Sequence, residues 1–157
     1  MTIPVSTVPA AIAALTSQIQ TQVNTDANAS SIEVVTGEEW MDSPNDLIVV
    51  VTNVNRAVTH ENYLGGLQAD AIEEKYTIDV LCSSWSGDPD PVANMNRAWV
   101  LVGYVETAVR TDPTLGGTVP ISRPAGSKGG QPFWSVVNDV TGRQTDIIVS
   151  IFVDTLN

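Results

Sequence analysis

Residues 47–54 read LIVVVTNV, with five apolar side chains in succession from Leu47 to Val51. Successive side chains of a strand point to opposite faces, so a run without alternation is apolar on both sides. Such a segment belongs inside a sheet with both faces covered, and the rest of the chain has to supply the cover.

Two stretches have the spacing of helices. Val8, Ile12, Leu15, Ile19 and Val23 follow one another at steps of four, three, four and four, with Thr7 placed as N-cap and Pro9 in the first turn. The other side of this helix carries Ser, Thr, Gln and Ala but no charge, which predicts that part of that side is covered too. The second helix starts where Asp90 precedes Pro91, an N-cap followed by proline at the first helical position. Val92, Met95, Trp99, Val102, Val105 and Val109 trace its expected buried stripe, and Asp112-Pro113 ends it. Leu101 and Tyr104 on the remaining side make it the most apolar helix and the expected central one.

Further strands are expected at Ile32–Val35 and at 72–82, where Tyr76, Ile78, Val80 and Cys82 alternate with Lys75, Thr77 and Asp79. Two more, 133–139 and 145–154, are joined as a hairpin at Thr141-Gly142. In the last of these Ile147, Val149, Ile151 and Val153 form one face, while Ile148 and Phe152 make the other partly apolar. Gly65-Gly66 marks a hairpin tip or loop within 56–71. The five glycines and three prolines of 114–132 predict a turn, a short strand and a long exposed loop.

At 157 residues the chain is expected to form one domain, 1–157, that buries a core without disulfides or metal. No apolar run approaches the roughly 20 residues that span a bilayer, and the N-terminal stretch lacks the basic start of a signal peptide, so it reads as mature structure. The lone Cys82, inside a strand, reads as a buried small hydrophobe in a reducing compartment. Eighteen acidic against seven basic residues give a net charge of −11, with no Lys or Arg before Arg56 and no basic run. Phosphate binding needs clustered cations, so direct nucleic-acid binding is set aside; an acidic wall repels DNA and lets it slide past.

The residue types that carry chemistry each have a plainer reading. Asp88 and Asp90 lack the glycine position and distant Glu of a calcium loop and read as a helix start. Glu38 and Glu39 beside Trp40 are adjacent, point to opposite sides of an extended chain and are poorly arranged as a catalytic pair. His60, the only histidine, would have to be the base for Cys82 or a serine, and its THENY surroundings read as polar hairpin. AGSKGG at 125–130 lacks the Lys-Ser/Thr step of a phosphate loop; it reads as a flexible loop whose Lys128, with nearby Arg123, could meet an acidic neighbour. No cofactor or metal is expected. What remains is apolar area: two-faced strands and four tryptophans suggest more than one domain covers, against the alternative that helices and loops bury it all.

One segment, RAWVLVGYVETAVRTDPTLGGTV (97–119), a helix running through Asp-Pro-Thr-Leu-Gly-Gly into a strand before a closing hairpin, resembles the tail terminator and tail completion proteins of long-tailed bacteriophages. The order of elements matches over nearly the whole chain, the residues over this segment. The resemblance implies an α+β fold, a mainly antiparallel sheet with two helices on one face and long hairpin or loop excursions. It implies no enzymatic activity and a homo-hexameric ring at the head-proximal end of the tail tube. Its partners would be further copies, the tail tube protein and the head–tail connector or stopper, with DNA only passing through the lumen. The protein would be a minor tail component of the virion, assembled in the host bacterial cytoplasm. Under that reading, loops 56–71 and 120–132 and the residues His60, Tyr63, Arg123, Lys128, Trp134, Ile148 and Phe152 are the interface candidates. Glu38, Glu39, Asp42 and Asp46 are the candidate lumen acids. The rivals are another neck or connector protein, a small protein- or carbohydrate-binding module using Trp40, Trp85 and Trp134, and a hydrolase using His60.

Overall fold

Both faces of the 47–51 run are used, and by different partners, in a computed structural model of the chain. The structure describes residues 6–37, 46–52, 54–61, 71–87, 90–124, 133–139 and 142–155; for 59–61, 71, 72 and 133–139 it describes the backbone alone. The elements in chain order are α1 (Val8–Val23), β1 (Ile32–Gly37), β2 (Asp46–Val51), β3 (Asn55–Glu61), β4 (Ala71–Ser86), α2 (Pro91–Thr111), β5 (Ile121–Pro124), β6 (Phe133–Asp139) and β7 (Gly142–Asp154), with one turn of 3-10 helix, Ala29–Ser31, leading into β1.

The strands form one seven-stranded sheet around a two-strand spine. β4 and β7 pair antiparallel without a break from Lys75↔Asp154 to Ser86↔Arg143. Each spine strand is long enough to serve two shorter ones along its outer edge: β4 takes β3 at Ala71–Thr77 and β2 at Val80–Ser83. β7 takes β6 at Gly142–Ile148 and β5 at Ile151–Asp154. β1 runs parallel beside β2, and every other pairing is antiparallel. The β3–β4 ladder continues to Glu61↔Ala71, past the β4–β7 ladder, which ends at Lys75. At about 3.3 Å per residue, that hairpin extends roughly 13 Å beyond the spine.

Both helices lie on one face, and the main core sits beneath them. Ile48 and Val50 of β2, Tyr76 to Cys82 at alternate positions of β4, and Ile147, Val149, Ile151 and Val153 of β7 pack there against α1 and α2. The expected stripe of α1 holds: Ile12, Leu15, Ile19 and Val23 are buried, together with Ala11. Thr7 occupies the N-cap position but makes no side-chain cap bond, because its hydroxyl is taken by Glu74. Asp90 does cap α2, its Oδ1 accepting from the Val92 amide at 2.9 Å.

The expected stripe of α2 holds at Val102, Val105 and Val109 and is corrected by a rotation at its start. Asn94, Ala98, Leu101, Val102, Val105, Ala108 and Val109 are the buried positions, while Val92 and Trp99 face out. Alanines at the sheet contact let the helix axis approach the strands closely, and an indole in their place would hold it off. Burial leaves Cys82 fully enclosed and pushes its thiol pKa far up, as expected of a packed small hydrophobe.

Candidate functional site

The face away from the helices carries one apolar row laid across four strands. Val35, Val49, Leu81 and Ile148 occupy successive register positions on β1, β2, β4 and β7. Leu47, Val49 and Leu81 are buried, with Val35 and Ile148 packed at their sides. Polar groups border the row: the Ser150 hydroxyl donates to Asp79 Oδ1 at 2.5 Å on one side, and Gln144 Nε2 donates to Ser83 Oγ and Asp146 Oδ1 at 3.1 and 3.0 Å on the other.

This arrangement redistributes the expected interface residues. Ile148 and Phe152 do lie on the outer face of β7, each half-buried. Arg123 is opposite Phe152 in the β5–β7 register, and its guanidinium stacks 5.3 Å from the ring centroid. Trp134 stands opposite Ile147, and His60 opposite Ile72, as backbone positions. Tyr63, Lys128, Glu38, Glu39 and Asp42 lie outside the described residues, as does Trp40. Trp85 is partly exposed on β4 and covers the start of β7, where a Cβ on Gly142 would meet Ser86 O at 2.8 Å and Trp85 Cζ2 at 2.9 Å. Only glycine fits beneath that indole.

Asp46 is not available as a free lumen charge. Its Oδ2 accepts from Arg97 Nε at 2.5 Å and its Oδ1 from Ser84 Oγ at 2.8 Å. The same guanidinium reaches Asp26 Oδ2 at 2.9 Å, where the Tyr104 hydroxyl also donates at 2.6 Å. One cation on α2 thus clamps the turn after α1 and the start of β2. The Tyr104 bond, the Asn28 amide and the Arg97 bond hold the Asp26 carboxyl well below its ordinary 3.8, at about 2. Burial alone would favour neutral Arg97, but its bonds to Asp46 and Asp26 outweigh this and raise its pKa.

A buried carboxylate ties α1 to the spine. Glu74 of β4, 4 % exposed, accepts at Oε2 from both the Thr7 amide and the Thr7 hydroxyl at 2.9 Å. With its proton committed there, Thr7 Oγ1 accepts from the Tyr76 hydroxyl at 2.9 Å. Arg56 of β3 pairs with Glu74 Oε1 at 2.5 Å. α1 has no acidic residue in its first turn, so Glu74 supplies from the sheet the negative charge that a helix N-terminus favours. Burial raises the Glu74 pKa, and the Thr7 amide with the neighbouring hydroxyls and Arg56 more than offset it, so the net direction is down.

The Asp-Pro-Thr-Leu-Gly-Gly turn is held by its own first residue. Asp112 Oδ1 accepts from the Thr114 amide and hydroxyl at 3.0 and 2.6 Å, and Oδ2 from the Gly116 amide at 2.7 Å and Gln18 Nε2 of α1 at 3.0 Å. Leu115, Gly116 and Gly117 all have positive φ, and Leu115 is wholly buried in spite of it. Ser122 closes the turn onto β5 through Pro113 O, from its amide at 2.6 Å and its hydroxyl at 2.8 Å.

Exposed large apolar side chains are found on the strands, at Val58, Trp85 and Ile121, and on the helix layer. Trp99, Val92 and Val100 of α2 are 45, 53 and 42 % exposed. On α1, Val8, Pro9, Ala13 and Thr16 line an open groove of about 610 Å³ with Thr36 of β1 and Thr52 directly after β2. Sequence reasoning put Trp99 in the core; the uncharged outer side of α1 was the one signal for the groove. No family model and no curated protein matches the sequence.

Proposed function

We propose that the protein is a structural component of a bacteriophage tail, a ring-forming terminator that caps the head-proximal end of the tail tube and joins it to the head connector. The observation that carries this reading is the run from α2 through the Asp112-anchored turn into β5 and the closing β6–β7 hairpin, the segment on which the family resemblance rests. Two further features support it. Four acidic groups serve as structural anchors: Asp26 and Asp46 hold Arg97, Glu74 holds α1, and Asp112 holds its turn. Part of the exposed apolar surface, Val92, Trp99 and Val100, lies on the outer side of α2, the kind of surface that subunit contacts use.

A terminator acts by geometry. Its tube-facing side copies a subunit's mating surface while its other side offers no edge for the next subunit, so growth stops. Deleting the gene from its phage and measuring tail lengths by electron microscopy tests the reading. A terminator yields tubes longer than normal and variable in length; normal, unattached tails instead identify a connector.

A further inference from the structure

The β3–β4 hairpin is an arm, and Glu74 stands at its root. β4 pairs with β7 only as far as Lys75, and among the described residues positions 71–74 have a ladder with β3 alone. Thr155, directly after β7, closes the spine on the Glu74 backbone. Its Oγ1 accepts from the Glu74 amide at 2.7 Å, and its own amide donates to Glu74 O at 3.0 Å.

The side chain at this root divides its two oxygens between two elements. Oε2 takes the Thr7 amide and hydroxyl at the start of α1, and Oε1 takes Arg56 of β3. Oε1 is buried and no hydrogen bond satisfies it, so the Arg56 ion pair is its support among the described residues. Tyr76, opposite Arg56 in the β3–β4 register, bonds the same Thr7 hydroxyl at 2.9 Å. Thr7 and Arg56 thus meet through one carboxylate.

A carboxylate is a single rigid plane, and here it belongs to a residue 4 % exposed. If Arg56 withdraws, Oε1 is left bare, and a buried charged oxygen without a partner is costly. Turning the group to bring Oε1 to water takes Oε2 away from Thr7. If Thr7 withdraws, the carboxylate is free to follow Arg56, itself 41 % exposed, outward.

We infer that Glu74 is a latch that couples the order of the hairpin arm to the seating of α1. A change that frees β3 loosens the first turn of the helix, and a change that frees Thr7 loosens β3; such coupling acts equally in both directions. It is a property of the single chain and does not rest on the terminator reading.

Hydrogen exchange of individual amides, followed by NMR on the full chain, tests the latch with two variants, Thr7→Val and Arg56→Met. Circular dichroism first establishes that each keeps the wild-type fold. Thr7→Val removes the hydroxyl and keeps the branched shape. It is expected to speed exchange in β3 between Asn55 and Thr59 as well as at the Ala11 amide, which donates to Thr7 O. Arg56→Met, in the other element, is expected to speed exchange at Ala11 and Ile12. Each cross-effect should be about fivefold or more, the lower end of ordinary coupling between sites, with the amides of α2 and of the β4–β7 ladder unchanged. A cross-effect smaller than that in either variant, with faster exchange confined to the substituted element, overturns the inference. Equal acceleration throughout α2 and β7 also overturns it, since that is a loss of global stability.

Discussion

The two helices are pinned to the same sheet by opposite arrangements of charge. α1 brings no charge of its own and is held at its N-terminus by one carboxylate, Glu74, whose partners are neutral donors and an Arg56 that is 41 % exposed. α2 brings the cation Arg97 and is held by two carboxylates, Asp26 and Asp46, that are 8 and 12 % exposed. The two anchors differ in what their loss leaves behind. Without Glu74, Arg56 can turn to water; without Arg97, two largely covered carboxylates lose the cation they share.

That difference ranks the expected effects. Arg97→Met should cost about 2–4 kcal/mol, below the full value for a wholly buried pair because Arg97 keeps some contact with water. Urea unfolding measures it, and a cost below about 1 kcal/mol would mean the clamp is not what fixes α2. Glu74→Gln keeps the shape and loses the charge, and should cost about 1–2 kcal/mol, the range of a charge-assisted cap. The same unfolding experiment would break the comparison if the two variants were equal.

Acid acts on both anchors in one direction. The folded-state pKa of Asp26 lies at about 2 against an ordinary 3.8, and that of Glu74 is also lowered. Each carboxylate is stabilising while ionised; the Asp26 contribution is complete above about pH 4 and is lost as pH falls toward about 2, and the Glu74 contribution is lost in the same direction. The melting temperature of the wild type should drop through that window, and Asp26→Asn should flatten the drop. An unchanged slope would show that Asp26 is not linked to folding. The smallest effect on the single chain is expected from Trp99→Ser, within about 0.5 kcal/mol as for other exposed positions. A larger loss would place the indole among the groups that hold α2 down.

How much of this was legible in the sequence follows from how each element is packed. α1 covers the β1–β2 side with a single stripe and little else apolar beyond alanine, so its phase could be read directly. α2 is apolar or small at nearly every position from Pro91 to Val105, and periodicity cannot choose a face when all faces qualify; closeness to the sheet chose the one with Ala98 and Ala108. The two-faced run at 47–51 did forecast cover on both sides, and the second side is a single row across the strands. The Arg97 clamp was invisible because its partners are 71 and 51 residues away, and Asp46, without a visible cation nearby in sequence, read as free acid. Glu74 was passed over because it interrupts the alternation of β4; it is on the helix side, and buried, because the start of α1 comes to meet it.

Imaging the purified protein with its phage's tail tubes by negative-stain electron microscopy tests the central claim most directly. The account predicts a sixfold ring on one end of each tube, which then no longer elongates when tube protein is added. Tubes that stay uncapped and keep growing at both ends, or that bind the protein along their sides, would contradict it.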